Sequence, residues 1–153
     1  MVDVIRSEFS APGSLGDFRW MIDQPEFADC LFVFNDNESQ FRVHQQSLGT
    51  GHVCYAGGGN ASIRPYQCVQ PPRAMGIPTG DDGGYQALDT HAKSVIDEAI
   101  AYLGELLATG QYRRVVFSWN SARETLGTGI FEVAREVTDY IVERIELAAR
   151  NAP

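Results

Sequence analysis

The sequence predicts a single α/β domain over residues 1–153, with a central, mostly parallel sheet flanked by helices. Three features carry that expectation. Cys30-Leu31-Phe32-Val33-Phe34 is a continuous apolar run between polar neighbours, the pattern of a strand buried on both faces. Arg113-Arg114-Val115-Val116-Phe117-Ser118-Trp119 is a second such run, β-branched and aromatic in its middle. Between them, Ala92, Val95, Ile96, Ala99, Ile100, Leu103, Leu106 and Leu107 recur at helical spacing on one face. A Gly-rich loop, a helix and a strand in succession make half of a parallel crossover, and ligands of such sheets sit beyond the strands' carboxyl ends. The two apolar strands are therefore expected side by side, both buried.

Residues 1–29 carry the weakest pattern. Phe9 to Ser14 reads as a loop, and Leu15, Phe18, Met21 and Ile22 fall at helical spacing, with Ser14 as the expected cap and Pro25 as the stop. The strand at 30–34 ends in Asn35-Asp36-Asn37-Glu38-Ser39-Gln40, polar groups suited either to a ligand or to an Asx-turn. From Phe41 to Arg73 the chain is rich in Gly, Gln and Pro and shows little periodicity. Met75 to Tyr85 reads as a turn-rich block leading into the long helix, for which Asp89 or Thr90 is the expected cap and Gly110 the residue after its end. After Asn120 a loop leads to Gly127-Thr128-Gly129. A last helix is then expected to start at once, with Ile130, Val133, Ala134, Val137, Tyr140, Ile141, Ile145 and Ala148 on its apolar face.

Composition narrows the function. Hydrophobic residues make up 44% and charged residues 21%, ordinary for a globular domain. A net charge of -8 with no basic patch argues against nucleic acid or an anionic membrane surface as partner. No run approaches about 18 consecutive apolar residues. The start, Met1-Val2-Asp3-Val4-Ile5, lacks the charged and apolar regions of a signal peptide, so a cytoplasmic setting is expected. Cys30, Cys54 and Cys68 form no C-x-x-C pair and are expected as free thiols. A homodimer is the default oligomer for a symmetric soluble assembly.

The chemistry is expected at glycines. Gly57-Gly58-Gly59 followed by Asn60 can present successive amides to an anion, and Arg64 suits a bidentate grip on phosphate. Both long helices are read as entered through Gly-Thr loops, Thr79-Gly80 with Gly83-Gly84-Tyr85 and Gly127-Thr128-Gly129. Two helix N-termini on one sheet edge would suit a diphosphate; taken singly, each is ordinary cap chemistry. Asn35 and Asn37 are placed to hydrogen-bond the same ligand. Asp36, Asp81 and Asp82 are the carboxylates best placed to activate a water, if catalysis occurs, although a turn or cap role is the favoured reading for each. Neither Gly-x-x-x-x-Gly-Lys-Ser/Thr nor Gly-x-Gly-x-x-Gly is present. His44, His52 and His91 are scattered, with no metal-ligand spacing, so no metal or cofactor is expected, and His44 and His52 are expected at the surface. Cys30 opens a buried strand and belongs to the core.

The strand ending in Asn35 and Asn37, the Gly57-Gly58-Gly59 loop, and Gly76-Ile77-Pro78-Thr79-Gly80 with Gly83-Gly84-Tyr85 before a helix and a strand together resemble macrodomains. The likeness extends over roughly residues 30–119 and implies an ADP-ribose-binding domain, either sequestering or hydrolysing its ligand. It implies Asn37 at the distal ribose, with Gly57 to Gly59 and Thr79 to Tyr85 around the phosphates. A second likeness, Gly127-Thr128-Gly129-Ile130-Phe131-Glu132, resembles the helix start of nucleoside deoxyribosyltransferase-like enzymes, and implies Glu132 acting at an anomeric carbon. Glu132 also suits a first helical turn by its charge alone. A third class, ranked after these two, is a ligand-free interaction or inhibitor protein, which suits a small acidic chain.

Overall fold

The computed structural model describes residues 1–48, 53–129 and 131–153. Its strands are β1 (Asp3–Ser7), β2 (Cys30–Asn37), β3 (Ala74–Asp81), β4 (Gly83–Gly84), β5 (Arg114–Asn120) and β6 (Thr125–Leu126). Across the sheet they lie in the order β1-β5-β2-β3-β4, with β6 added to β5. β1, β5, β2 and β3 are parallel to their neighbours, while β4 and β6 run antiparallel to β3 and β5. The two apolar runs are central and adjacent, in the register Leu31↔Val115, Phe32↔Val116 and Val33↔Phe117. This is the α/β architecture expected.

Strand side chains alternate between faces, so each run feeds two apolar layers. Leu31, Val33, Met75, Ile77, Val115 and Phe117 pack with Val95, Ile96, Ala99 and Leu103 of α3 (Thr90–Ala108) and with Val137, Ile141 and Ile145 of α4 (Arg135–Asn151). Cys30, Phe32, Phe34, Ala74 and Val116 form the other layer. There they meet Phe18 and Met21 of α1 (Phe18–Met21), Phe27 of a 3-10 turn (Pro25–Phe27), and Ala61 and Ile63 of a 3-10 segment (Gly59–Cys68). α3 ends where expected. Asp89 Oδ1 accepts from the Ala92 amide at 2.8 Å, and Gly110 follows the helix at φ +74°.

Several expectations are corrected. The 75–85 block is strand from Ala74 to Asp81, so Thr79 and Gly80 extend the sheet and do not open a helix. Gly127-Thr128-Gly129 likewise opens none, because α4 begins at Arg135. The apolar position expected at Ile130 lies outside the described residues. α1 is capped by Asp17, which accepts from the Arg19 amide at 3.1 Å, with Ser14 further upstream. The 41–73 stretch holds the end of α2 (Glu38–Gln46) and the 3-10 segment. His44 sits buried on α2, where burial pushes its pKa down; His52 is outside the described residues. Cys54 and Cys68 are joined in a disulfide, leaving Cys30 as a buried free thiol whose pKa burial pushes up to about 11. Among the described residues no helix is long and apolar enough to cross a membrane.

Candidate functional site

The parallel strands all deliver their carboxyl ends to one edge of the sheet. There β2 and β5 part company. Their pairing ends at Val33↔Phe117, and β5 goes on to pair with β6 through Trp119↔Leu126. On the other side of β2, the register with β3 slips between Asp36↔Pro78 and Asn37↔Gly80, leaving Thr79 as the extra residue of a bulge. A cleft of about 550 Å³ occupies this edge, within the size range of sites for small molecules.

Three separate stretches of glycine meet around it: Gly58 and Gly59 with Asn60, then Gly80, Gly83 and Gly84 with Thr79, then Gly127, Thr128 and Gly129. Asn35, Asp36, Asn37, Arg64 and Asp81 line it as well. Gly57, Tyr85 and Asp82 do not. Gly57 instead packs on Arg64, where an added Cβ would lie 2.7 Å from Nη1. Tyr85 packs against the α3–α4 layer and donates its hydroxyl to Glu38 Oε1 at 2.6 Å.

Most polar side chains of the cleft hold the scaffold. Asn35 Nδ2 donates to the Gly127 carbonyl at 2.7 Å, and Ser118 Oγ donates to the same oxygen at 2.7 Å. Asn37 caps α2 by accepting from the Gln40 amide at 2.8 Å; among the described residues its Nδ2 makes no hydrogen bond. Asp81 Oδ1 accepts from the amide and hydroxyl of Ser39 at 3.0 and 2.6 Å, so the first turn of α2 is capped twice. Arg64 Nη2 donates to Asp36 Oδ1 at 2.7 Å, an ion pair with side chains 5% and 1% exposed. Burial raises the Asp36 pKa, and Arg64 opposes that rise without cancelling it. Arg64 Nε is buried with no hydrogen-bond partner among the described residues.

The cleft also has residues that the sequence reading passed over. Glu8 and Phe9 follow β1, and Ser118, Trp119 and Asn120 end β5. The rule that singled out Asn35 to Asn37 after a buried strand would have found Ser118 to Asn120. Glu8 and Phe9 give no such signal, because β1 is a short strand with a mixed pattern. Glu8 Oε1 and Oε2 accept from the hydroxyl and amide of Ser121 at 2.6 and 3.1 Å, which holds its pKa below the usual range and ties the β1 and β5 ends together. Phe9 and Phe131 are both more than half exposed yet line the cleft, giving it apolar surface beside its amides. Glu132 is exposed, precedes α4, and does not line the cleft.

No protein-family model matches the chain, and no curated protein or solved structure is significantly similar to it.

Proposed function

We propose that the cleft binds an ADP-ribose-type nucleotide. The observation that carries this reading is the convergence of the three glycine stretches, far apart in the chain, on one cleft at the carboxyl edge of a parallel sheet. Glycine lets backbone amides approach an anion, which suits a diphosphate, and Arg64 adds a guanidinium at the same place. Phe9 and Phe131 offer exposed aromatic surface to a base or a ribose. The first two stretches are also those through which the chain resembles macrodomains.

Sequestration suits these side chains better than hydrolysis. Each carboxylate of the cleft already has a bond to keep: Asp36 to Arg64, Asp81 to Ser39, Glu8 to Ser121, and Asp17 to the amides of Gly13 and Arg19. A general base must lie within hydrogen-bond reach of the water it activates, and these bonds turn the carboxylates toward the scaffold, with the Asp36 side chain only 1% exposed. The nucleosidase reading has less support still, since Glu132 lies outside the cleft. We place the protein in the cytoplasm and keep the homodimer as the proposed assembly.

Thermal shift and calorimetry with ADP-ribose, its cyclic forms and adenine nucleotides test the reading. A ligand at about 100 times its Kd should add roughly 2.7 kcal/mol of stability. No shift with any of them would remove the nucleotide and leave the interaction class. Release of a nucleobase from a nucleoside, lost in Glu132→Gln, would instead establish the nucleosidase.

A further inference from the structure

We infer that the Cys54–Cys68 disulfide is a redox latch that holds one wall of the cleft. The bond closes a ring in the chain that contains Gly58, Gly59, Asn60 and Arg64, all of which line the cleft. Its two arms differ. The 3-10 arm is anchored in the core by Ala61 and Ile63. The other arm, residues 53–58, buries only Val53, exposes Tyr55 apart from a hydroxyl bond to Gln40 Oε1 at 2.5 Å, and passes into glycines that have no side chains to anchor them.

Among the described residues hydrogen bonds also join the arms, including the Ala61 amide to the Gly58 carbonyl at 3.1 Å, and Cys68 Sγ lies 3.6 Å from the Val53 carbonyl oxygen. Gln67 Nε2 donates to the Val53 carbonyl at 2.7 Å, the Gly57 amide to the Ala61 carbonyl at 3.0 Å, and Arg64 Nη1 to the Tyr55 carbonyl at a long 3.4 Å. This arm also covers the buried ion pair, because Gly57 and Tyr55 lie over the Arg64 guanidinium. Releasing the arm would admit water to Arg64 and Asp36 and loosen the amides of Gly58 and Gly59. Cys54 and Cys68 are half-buried and open to a reductant, whereas Cys30 is fully buried. In the reducing cytoplasm proposed above, the bond is one that forms and breaks with the redox state, as disulfides there usually do. The step is a thiol–disulfide exchange. A dithiol supplies two electrons and two protons, Cys54 and Cys68 become thiols, and the dithiol becomes a disulfide.

The reducing compartment and the consequence for binding both rest on the proposed function; that the disulfide holds this wall does not. Hydrogen exchange of the full chain, oxidised and then treated with dithiothreitol, reads the wall directly. Calorimetry with ADP-ribose on the same two samples reads the cleft. The amides of residues 55–64 should exchange at least tenfold faster after reduction while those of α3 and β5 stay unchanged, and ADP-ribose should bind at least tenfold more weakly. Cys54→Ser/Cys68→Ser should behave as the reduced protein does. Unchanged exchange in residues 55–64, or unchanged ADP-ribose affinity in a sample whose wall has loosened, would overturn the latch. If ADP-ribose binds neither form, the nucleotide reading falls, and the exchange of residues 55–64 still decides the latch.

Discussion

β5 and β3 flank β2 on opposite sides, yet only one of them reads as a strand. β5 is Arg-Val-Val-Phe-Ser-Trp-Asn and announces itself. β3 is Ala-Met-Gly-Ile-Pro-Thr-Gly-Asp, and Gly76, Pro78 and Gly80 each argue for a turn. The structure shows why they are tolerated. A Cβ at Gly76 would lie 2.7 Å from Asp36 Oδ2, so this glycine leaves room for the buried ion pair. A Cβ at Gly80 would lie 1.8 Å from the Gly83 carbonyl oxygen, so this one lets the β3–β4 hairpin close on itself. Pro78 stands at the bulge, where the β2–β3 register slips. Glycine beside a site can therefore mark close approach of other atoms as well as a bend in the chain.

Two substitutions sharpen that contrast at the largest scale. Phe117→Ala in β5 empties a fully buried position and should cost about 3–5 kcal/mol. Gly80→Val in β3 should cost about as much by the opposite route, since the overlap is with backbone and no side chain can swing away; about 3 kcal/mol or more is expected. Urea unfolding of both variants measures the pair. A Gly80→Val protein as stable as the parent would mean that Gly80 is a loop residue after all. The same contact removes Gly80 as a probe of ligand binding, because the variant would disturb the fold first.

Gly129 provides the cleaner probe. It lines the cleft, has no positive φ, and an added Cβ there meets nothing within 4 Å among the described residues beyond its chain neighbours. Gly129→Val should shift stability by no more than about 0.5 kcal/mol, as for surface positions without special roles. Its effect on ADP-ribose should be larger, at least a tenfold loss by calorimetry, because a branched side chain would occupy ligand space. Equal affinity in parent and variant would move the ligand away from the 127–129 loop.

Legibility followed the physics of each segment. α3 could be read because one apolar face, an Asp cap and a terminal glycine all agree, and β2 and β5 because burial on both faces leaves an uninterrupted run. The cleft was legible in outline because polar and glycine residues follow those runs. β1 was not, since Asp3–Ser7 is a short strand at the sheet edge with exposed and buried positions intermixed. The start of α4 was misplaced because Gly-Thr-Gly imitates a cap. The chain after Leu126 first returns to the sheet, with the Gly127 amide on the Ser118 carbonyl, and residue 132 lies against Gly84 before Arg135 begins the helix. The disulfide has no local signature, because the fold alone brings Cys54 to Cys68.

The smallest expected effect concerns how the β3–β4 hairpin is fastened. Tyr85, just after β4, packs on the core and donates to Glu38, whose carboxylate also meets His91 Nε2 at 2.7 Å and Arg42 Nε at 3.3 Å. Burial alone would raise the Glu38 pKa, but the bonds from Tyr85, His91 and Arg42 outweigh it and hold the group below the usual carboxylate range. With the folded pKa below the unfolded one, the unfolded chain binds the proton more tightly. Glu38 therefore contributes stability above the ordinary carboxylate pKa and loses that contribution as the pH falls through its own, lower value. Tyr85→Phe keeps the ring packing and removes one donor, which should cost about 1 kcal/mol at pH 7. It should also bring the Glu38 pKa back towards normal. The gap between parent and variant should then narrow as the pH drops and Glu38 takes up its proton in both. Urea midpoints at pH 7 and at steps down the acid limb measure that gap. A gap that stays constant with pH would mean that the Tyr85 hydroxyl acts through packing or water, and that its bond to the carboxylate does not fasten the hairpin.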